Sequence, residues 1–365
     1  MNGAPHYAYR PQIDGLRALA VAGVLVEHFW LPTAPTGHLG VRLFFVISGF
    51  LITERLLDAR FRVENGSSTV AAQGRAFYLR RALRLFPAYF LLLAMLLILN
   101  TGGIRDSALW HVFSLTNLWF AKVDDWSPWQ IAHFWSLSVE EQFYLIWPWI
   151  ILLLLLLLPR RTLGPAVMAT IAAGILFRIA VVLGPLGQGR AALWVLTPAA
   201  FDALGAGALL ALAVRAGRNI GPVTKAILPA TILWGLVNHA LHLGWLPDSL
   251  YLTYVLQDVV STVAFVGLVA RCHQDRQDAM GFVLSSVPFL GMGRISYGIY
   301  LYHLPVLAGL LVLIPDLGAG PRRFALAAAA TLVIAAVSWK VLETPFLRLK
   351  RRTEERRESP TAGSS

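Results

Sequence analysis

One apolar stretch near the start of the chain carries two side chains that could do chemistry inside a membrane. Arg17 and His28 lie eleven residues apart within residues 13–31, which are long enough to cross a bilayer. Eleven residues make about three turns of an α-helix, so both side chains share one face roughly 16 Å apart. Ionisable residues at membrane depth are costly and usually face a cavity or a bundle interior. The pattern is what catalysis within the membrane would require, but a lipid-facing arginine and a packed histidine would give the same spacing.

A basic cluster begins the third apolar segment. Arg81 and Arg84 are three residues apart, on adjacent turns of a helix, and can converge on one anion. Guanidinium groups bind phosphate in bidentate fashion. The cluster predicts a phosphate site, while the preference for basic residues on the cytoplasmic side of a membrane would also explain it.

The segment from His133 to Tyr144 concentrates polar groups at the start of another apolar run. Glu140, Glu141 and Tyr144 fall within about one and a half helical turns. Adjacent carboxylates can orient a histidine or bind sugar hydroxyls, and they can also simply stabilise a helix N-terminus.

A fourth group of polar residues lies in the segment 294–303. Ser296, Tyr300 and His303 follow i, i+4, i+7 spacing and share a helix face. Aromatic stripes of this kind commonly serve packing, but the histidine on the same face favours a functional interpretation.

Four further residues are not assigned to the site. Arg178 and Asp202 belong to neighbouring predicted helices and can form an ion pair. Glu27 precedes His28 but points about 100° away around the helix, so a Glu–His dyad is poorly supported. Gly49 lacks the G-x-S-x-G pattern of a nucleophile elbow and predicts a close helix contact.

Composition places the chain in a membrane. Only 14% of the 365 residues are charged and 57% are hydrophobic, whereas soluble domains carry about 25% charged residues. The single cysteine, Cys272, excludes an internal disulfide and a cysteine-rich metal site. No P-loop, dinucleotide fingerprint or zinc spacing occurs, so we expect neither a metal nor a permanently bound cofactor. The net charge of +11 is attributed to membrane topology rather than to nucleic-acid binding.

Runs of apolar residues predict an all-α polytopic bundle of about ten transmembrane helices. The predicted spans are residues 13–31, 39–57, 78–99, 136–158, 163–183, 193–214, 222–243, 250–270, 294–314 and 322–342. Most basic residues between these spans fall on one side, which puts both termini in the cytoplasm and His28 toward the opposite face. Few fall on the other side: Arg105, Lys122, Arg190, Arg322 and Arg323. The chain is thus predicted to be a multi-pass protein of the cell (inner or cytoplasmic) membrane.

The remaining segments are predicted to lie outside the bilayer core. Residues 58–76 are predicted to form a flexible cytoplasmic loop. The tryptophan-rich residues 101–135 are predicted to form a loop at the membrane interface. Residues 282–293 are predicted to form a short segment at the membrane interface. We assign residues 1–350 to one transmembrane domain and 351–365 to a disordered cytoplasmic tail.

The ordered set of motifs resembles the acyltransferase 3 family of integral membrane O-acyltransferases. Each motif is weak alone, but the series runs in order over nearly the whole chain. The motifs are Asp14-Gly-Leu-Arg17 with His28, Gly40–Ile52, Arg80–Tyr89, Phe134–Pro148, Ser296–His303 and Glu343-Thr-Pro-Phe346.

This resemblance implies transfer of an acyl group, usually acetyl, from cytoplasmic acyl-CoA to a hydroxyl group. The acceptor is typically an extracytoplasmic or lipid-linked carbohydrate such as an exopolysaccharide or O-antigen, and in some members a macrolide or a Nod factor. The family's arginine-x10-histidine motif falls on Arg17 and His28, and its RxxR motif on Arg81 and Arg84. Arg42 departs from the acidic residue expected after Gly-Val. Some members carry a C-terminal SGNH-type esterase-like domain, and we expect any handoff to such a domain to need a separate protein.

These observations lead to one proposed mechanism of acyl transfer and to two alternative functions. Arg81, Arg84 and Arg17 hold the phosphates of acyl-CoA, and His28 acts as general base on the acceptor or carries the acyl group itself. Glu140, Glu141 or His303 supports His28. Tyr144, Tyr300 and Ser296 are candidate substrate-binding residues. The alternative functions are a transporter or permease that uses intramembrane histidines and acids, and a non-catalytic sensor or scaffold.

Overall fold

The computed structural model describes residues 9–154, 162–184, 190–245 and 251–346. Within these ranges the chain is helical and contains no β-strand, which confirms the predicted all-α class. The predicted tail 351–365 lies outside the described residues.

Long helices joined by short ones make up the molecule. In chain order they are α1 Pro11–Phe29, α2 Thr36–Glu64, α3 Val70–Leu99, α4 Ala108–Val112, α5 Thr116–Val123, α6 Phe134–Trp149, α7 Leu163–Leu183, α8 Arg190–Val195, α9 Phe201–Arg215, α10 Gly221–Lys225, α11 Ile227–His242, α12 Tyr251–His273, α13 Ala279–Leu284, α14 Val287–Arg294, α15 Ser296–Leu313 and α16 Pro321–Ser338. Turns of π-helix extend α6 over Ile150–Leu154 and α16 over Trp339–Glu343.

Every predicted span contains one of these helices, and six spans are long and apolar enough to cross a membrane by themselves. The chain is therefore a multi-pass helical membrane protein. Helix α1 falls outside the six because it carries charged side chains at Asp14, Arg17 and Glu27, and α11 has only 16 residues. The total of ten spans and the sidedness of the termini stay predictions. The six are Val70–Leu99, Leu163–Leu183, Thr197–Arg215, Val255–His273, Ser296–Leu313 and Pro321–Phe346.

The prediction of a flexible loop over residues 58–76 is wrong. Helix α2 continues to Glu64 and α3 begins at Val70, so only five residues separate them. Polar composition suggested a loop, but Ala59 is buried in the core, and Arg60 pairs with Glu64 at 2.7 Å one turn later. An amphipathic helix end thus extends beyond the apolar stretch.

Several other segments are more divided than predicted. The span 193–214 is broken by a 3₁₀ turn at Thr197–Ala200, where Pro198 begins a new helix. The tryptophan-rich residues 101–135 contain α4, α5 and 3₁₀ turns, and the interfacial segment 282–293 is divided between α13 and α14. Short helices satisfy the backbone hydrogen bonds that an irregular loop would leave open near the bilayer.

Glycines allow α2 to pack closely on its neighbours. A Cβ atom added at Gly49 would collide with the backbone of Leu204 in α9, and one added at Gly207 would collide with Val46 in α2. Gly40 lies equally close to Ala20 in α1. The predicted helix contact at Gly49 is confirmed, and small residues at such crossings are typical of membrane bundles.

A buried cluster of charges joins α2, α7, α9 and α12. Arg178 pairs with both Asp202 and Asp258, which confirms the predicted Arg178–Asp202 ion pair. Arg42 lies 2.6 Å from Asp202 and 3.2 Å from Asp258 and is only 3% exposed. Two arginines and two aspartates balance each other, so the unexpected arginine after Gly-Val serves a structural ion-pair cluster.

Candidate active site

The centre of the site is a pair of histidines from α1 and α15. Nδ1 of His28 lies 3.1 Å from Nε2 of His303, and the two ring centroids are 4.9 Å apart. Nδ1 of His303 lies 2.6 Å from the carbonyl oxygen of Tyr300. Because a carbonyl only accepts, this Nδ1 carries the proton of the neutral imidazole, and its Nε2 accepts from Nδ1–H of His28. In this tautomer Nε2 of His28 keeps a lone pair, and the side chain also hydrogen-bonds the backbone of Val24 one turn earlier in α1.

The C-terminal end of α1, which carries His28, is fixed by Arg323 from the start of α16. Its Nε donates to the carbonyl of Phe29 at 2.9 Å, and an Nη2 donates to the carbonyl of His28 at 3.3 Å. The last carbonyls of a helix have no partner inside the helix, and a cation there is favourable. Arg323 thereby holds the backbone from which the His28 ring projects.

A third imidazole, His133, packs beside this pair. Its ring centroid is 4.7 Å from that of His303, and its Nε2 donates to the carbonyl of Leu301 at 3.0 Å. The residue is 3% exposed, and its buried Nδ1 has no partner in the described structure. His133 begins the polar segment noted in the sequence, but it did not stand out because nothing local links it to His303. Within the described chain, no group of three ligands is arranged to hold a metal ion.

His28 and His133 open onto a large cavity, here called the tryptophan chamber, of about 820 Å³. It begins at the loop after α1 and the start of α2, and it extends to α8, α11 and α12. Its lining includes Glu27, His28, His38, Val41, Trp126, His133, Trp135, Trp194, Trp234, Asn238, Gln257, Asp258 and Tyr300.

A second cavity of about 100 Å³, here called the basic cavity, lies toward the opposite ends of α1 and α2. Four arginines line it together with polar residues from α2, α6 and α15. Arg17 is also 3.7 Å from Asp14 in the same helix. The charged and polar lining residues are Arg17, Ser48, Arg55, Arg81, Arg84, Ser136, Glu140, Tyr144, Ser296, Tyr297 and Tyr300.

Glu140 and Tyr144 belong to a hydrogen-bonded network in the basic cavity. Tyr144 donates to Oγ of Ser48 at 3.0 Å, and Ser48 donates to a carboxylate oxygen of Glu140 at 2.7 Å. The guanidinium of Arg81 lies 3.1 Å over the ring of Tyr144, a cation–π contact. Arg81 is thus held at the cavity wall by an aromatic face.

The two cavities meet at Tyr300. This residue and Val41 line both cavities, and the hydroxyl of Tyr300 lies 2.6 Å from Oγ of Ser136. The carbonyl of the same tyrosine binds His303, which in turn binds His28. Tyr300 and Val41 therefore lie between the arginine-lined space and the histidine-lined space, and Tyr300 also contacts His303.

The predicted site residues divide between these two spaces. Of the three candidates for supporting His28, only His303 contacts it. Glu140 lies in the basic cavity, and Glu141 lines neither cavity. Glu27 accepts from the backbone N–H of Gly37 at 2.6 Å instead of binding His28, as its direction on the helix predicted.

Arg17, Arg81 and Arg84 line the basic cavity together, and their binding of one anion stays a prediction. Tyr144 and Ser296, predicted to bind substrate, line the same cavity, and Tyr300 belongs to both. The sequence did not single out His38 as a site residue, although it lines the chamber and binds Asp258 at 2.7 Å.

Comparison with known proteins identifies the family. The family model for the acyltransferase domain of acyltransferase 3 proteins matches residues 10–340. The chain belongs to the acyltransferase 3 family, as the ordered motifs indicated.

Its relatives include enzymes of cell-wall glycan modification. The chain is 30% identical over 93% of its length to peptidoglycan O-acetyltransferase OatA of Listeria monocytogenes, and this covers 56% of that protein. It is 29% identical over 93% of its length to YrhL of Bacillus subtilis, provisionally named a peptidoglycan O-acetyltransferase, covering 55% of it. The chain spans about half the length of these curated relatives. No solved structure matches it.

Proposed function

We propose that this protein is a membrane O-acyltransferase that moves an acetyl or other short acyl group from cytoplasmic acyl-CoA to a hydroxyl of an extracytoplasmic or lipid-linked carbohydrate. One observation carries the proposal: Tyr300 borders both the basic cavity and the tryptophan chamber, and its carbonyl accepts from His303, the partner of His28. A group transfer between two sides of a membrane needs such a junction between a donor space and an acceptor space.

The basic cavity suits the donor. Acyl-CoA is polyanionic, and Arg17, Arg81 and Arg84 offer guanidinium groups for its phosphates. The excess of basic residues on this side supports a cytoplasmic position, where acyl-CoA is made. A volume of about 100 Å³ is small for the donor, so its binding would have to widen the cavity. Movement of Arg81 from Tyr144 onto a phosphate would do so.

His28 would supply the base for transfer. Its Nε2 takes the proton from the acceptor hydroxyl as the oxygen attacks the thioester carbonyl. The carbon–sulfur bond breaks, the acyl group stays on the acceptor oxygen, and the thiolate of CoA receives the proton from His28. His303 accepts the hydrogen bond from Nδ1–H and stabilises the imidazolium formed in between, as the buried partner of a catalytic histidine does.

The relatives support a carbohydrate acceptor. Two of them are named for O-acetylation of peptidoglycan, and the similarity covers 93% of this chain. The chain covers about half of these proteins. We therefore propose a carbohydrate acceptor for it and do not specify peptidoglycan.

Membranes containing the protein, incubated with acetyl-CoA labelled in the acetyl group, test this function. We expect label in membrane or wall glycan, and comparison of a deletion strain with its complemented counterpart identifies the glycan. Uptake of a solute without its modification would favour the transporter, and the absence of both would leave a sensor or scaffold.

A further inference from the structure

We infer that the tryptophan chamber binds an uncharged sugar ring and that His38 is the side chain that orients it. This inference rests on the proposed function, because it assigns the acceptor side of the same reaction. The acceptor would then lie in the chamber, its sugar ring would be uncharged, and His38, outside the histidine pair, would recognise it.

The size and lining of the chamber fit a saccharide. Its volume of about 820 Å³ falls within the roughly 300–1,000 Å³ typical of ligand sites. Four tryptophans line it, and an indole face packs well against the C–H groups of a pyranose ring. Asn238 and Gln257 add amide donors and acceptors that suit hydroxyl groups. An apolar lipid tail would offer these amide groups no hydrogen bond.

The charges of the chamber argue against an anionic ligand. No arginine or lysine occurs among its described lining residues, whereas the basic cavity has four arginines. The acidic lining residues are Glu27 and Asp258, and the arginines that pair with Asp258 do not line the chamber. A sugar carboxylate would therefore meet acidic side chains and find no cation on the wall to pair with. The distribution of charge thus separates an anionic donor from a neutral acceptor.

His38 is held in one orientation toward this space. Its Nε2 lies 2.7 Å from Oδ1 of Asp258, and because a carboxylate accepts, this nitrogen carries the proton. Asp258 is itself fixed by Arg42 and Arg178. The ring packs at 4.8 Å, nearly perpendicular, against Trp194, and its side chain is 26% exposed.

This arrangement gives His38 a defined role. In the neutral ring, Nδ1 keeps a lone pair and makes no hydrogen bond within the described chain, so it can accept from a sugar hydroxyl. The neighbouring indole supplies the stacking surface. The buried ion-pair cluster therefore contributes to recognition by fixing the tautomer and direction of His38.

Binding of neutral saccharides to the full-length protein in lipid nanodiscs tests the inference without requiring acyl transfer. Isothermal titration would use three neutral trisaccharides (chitotriose, cellotriose and maltotriose) and trigalacturonic acid as the anionic counterpart. We expect at least one neutral sugar to bind and to bind about tenfold tighter than the acid. His38→Ala and Trp194→Ala should each weaken it about tenfold, the effect of one lost contact.

The matched controls are His239→Ala and Trp245→Ala, since both residues are exposed and outside the chamber lining. Binding of acetyl-CoA should be unchanged in all four variants, which shows that the fold is intact. The inference is overturned if no neutral sugar binds, if the acid binds as tightly, if the controls lose as much, or if His38→Ala also abolishes acetyl-CoA binding. Failure of acetyl transfer in a protein that still binds sugar would count against the proposed function alone.

Discussion

The proton positions on two imidazoles decide what His28 can do. The carbonyl of Tyr300 fixes the proton of His303 on Nδ1. Nε2 of His303 must therefore accept the hydrogen bond, which fixes the proton of His28 on its Nδ1. The result is a neutral His28 whose Nε2 lone pair is free to accept a proton. An acyl-carrier role would use the same nitrogen, so the geometry supports reactivity at Nε2 in either mechanism.

Replacement of His28 tests its role directly. Loss of a general base lowers rates by about 10²–10⁴-fold, and we expect His28→Ala to reduce acetyl transfer by that factor. The amount of protein in the membrane should not change. Transfer of labelled acetyl groups per unit of immunodetected protein is the measurement, with His239→Ala as the exposed-histidine control. Full activity in a well-expressed His28→Ala protein would remove this residue from the mechanism.

His303 should behave as a positioning residue. His303→Ala removes the acceptor for Nδ1–H of His28, and we expect kcat to fall roughly tenfold or more while KM for acetyl-CoA stays nearly constant. His303→Gln offers a side-chain oxygen that can accept the same hydrogen bond, so it should recover part of kcat. Equal losses in the two variants, with protein thermally destabilised in both, would point to packing as the only role.

The arginines of the basic cavity should affect donor binding rather than the chemical step. Arg84→Ala and Arg81→Ala each remove a charge-assisted contact, and we expect KM for acetyl-CoA to rise roughly tenfold. Arg218→Ala is the matched control, since Arg218 is exposed and lies outside the basic cavity. An unchanged KM in both cavity variants would contradict the donor assignment.

At the level of elements, the site depends on how closely α2 approaches α1 and α9. Helix α2 contributes Ser48 to the basic cavity and His38 to the chamber, and its glycines set its distance from both neighbours. The buried ion-pair cluster adds a polar connection from α2 to α7, α9 and α12. Breaking a buried pair leaves an unpaired charge, so these helices are strongly held in register.

Gly49→Ala tests this packing. An added methyl group would meet the backbone of Leu204, which cannot move aside as a flexible side chain can. We expect destabilisation of about 1–3 kcal/mol, the usual cost of overpacking, and a lower melting temperature in detergent. Gly235→Ala in α11 is the control, because nothing lies within 4 Å of the added atom. Equal melting temperatures for the two variants would show that α2 and α9 are not tightly packed there.

For the whole molecule, the sequence predicted the helices better than the site. Apolar runs predicted a helix in every span that the structure contains, because burial in lipid demands continuous apolar sequence. Residues 58–76 were missed because amphipathic helix ends look like polar loops in composition. Spacing alone located Arg81 and Arg84 on adjacent turns, and the structure brings both to one cavity.

Contacts between segments far apart in the chain could not be predicted from the sequence. His28 and His303 are 275 positions apart, and His38 and Asp258 are 220 apart. Periodicity describes one helix at a time and cannot say which faces meet. Arg42 shows this most clearly, since its type was unexpected and only the positions of Asp202 and Asp258 explain it.

The central claim is that an acyl group passes from a donor in the basic cavity to an acceptor in the chamber, with His28 at the junction. Sealed vesicles of opposite orientation, supplied externally with labelled acetyl-CoA, test it most directly. If the basic cavity faces the cytoplasm, as proposed, inside-out vesicles expose it and should transfer label to glycan, whereas His28→Ala vesicles should not. Equal transfer by sealed right-side-out vesicles, or by the His28→Ala protein, would contradict the account.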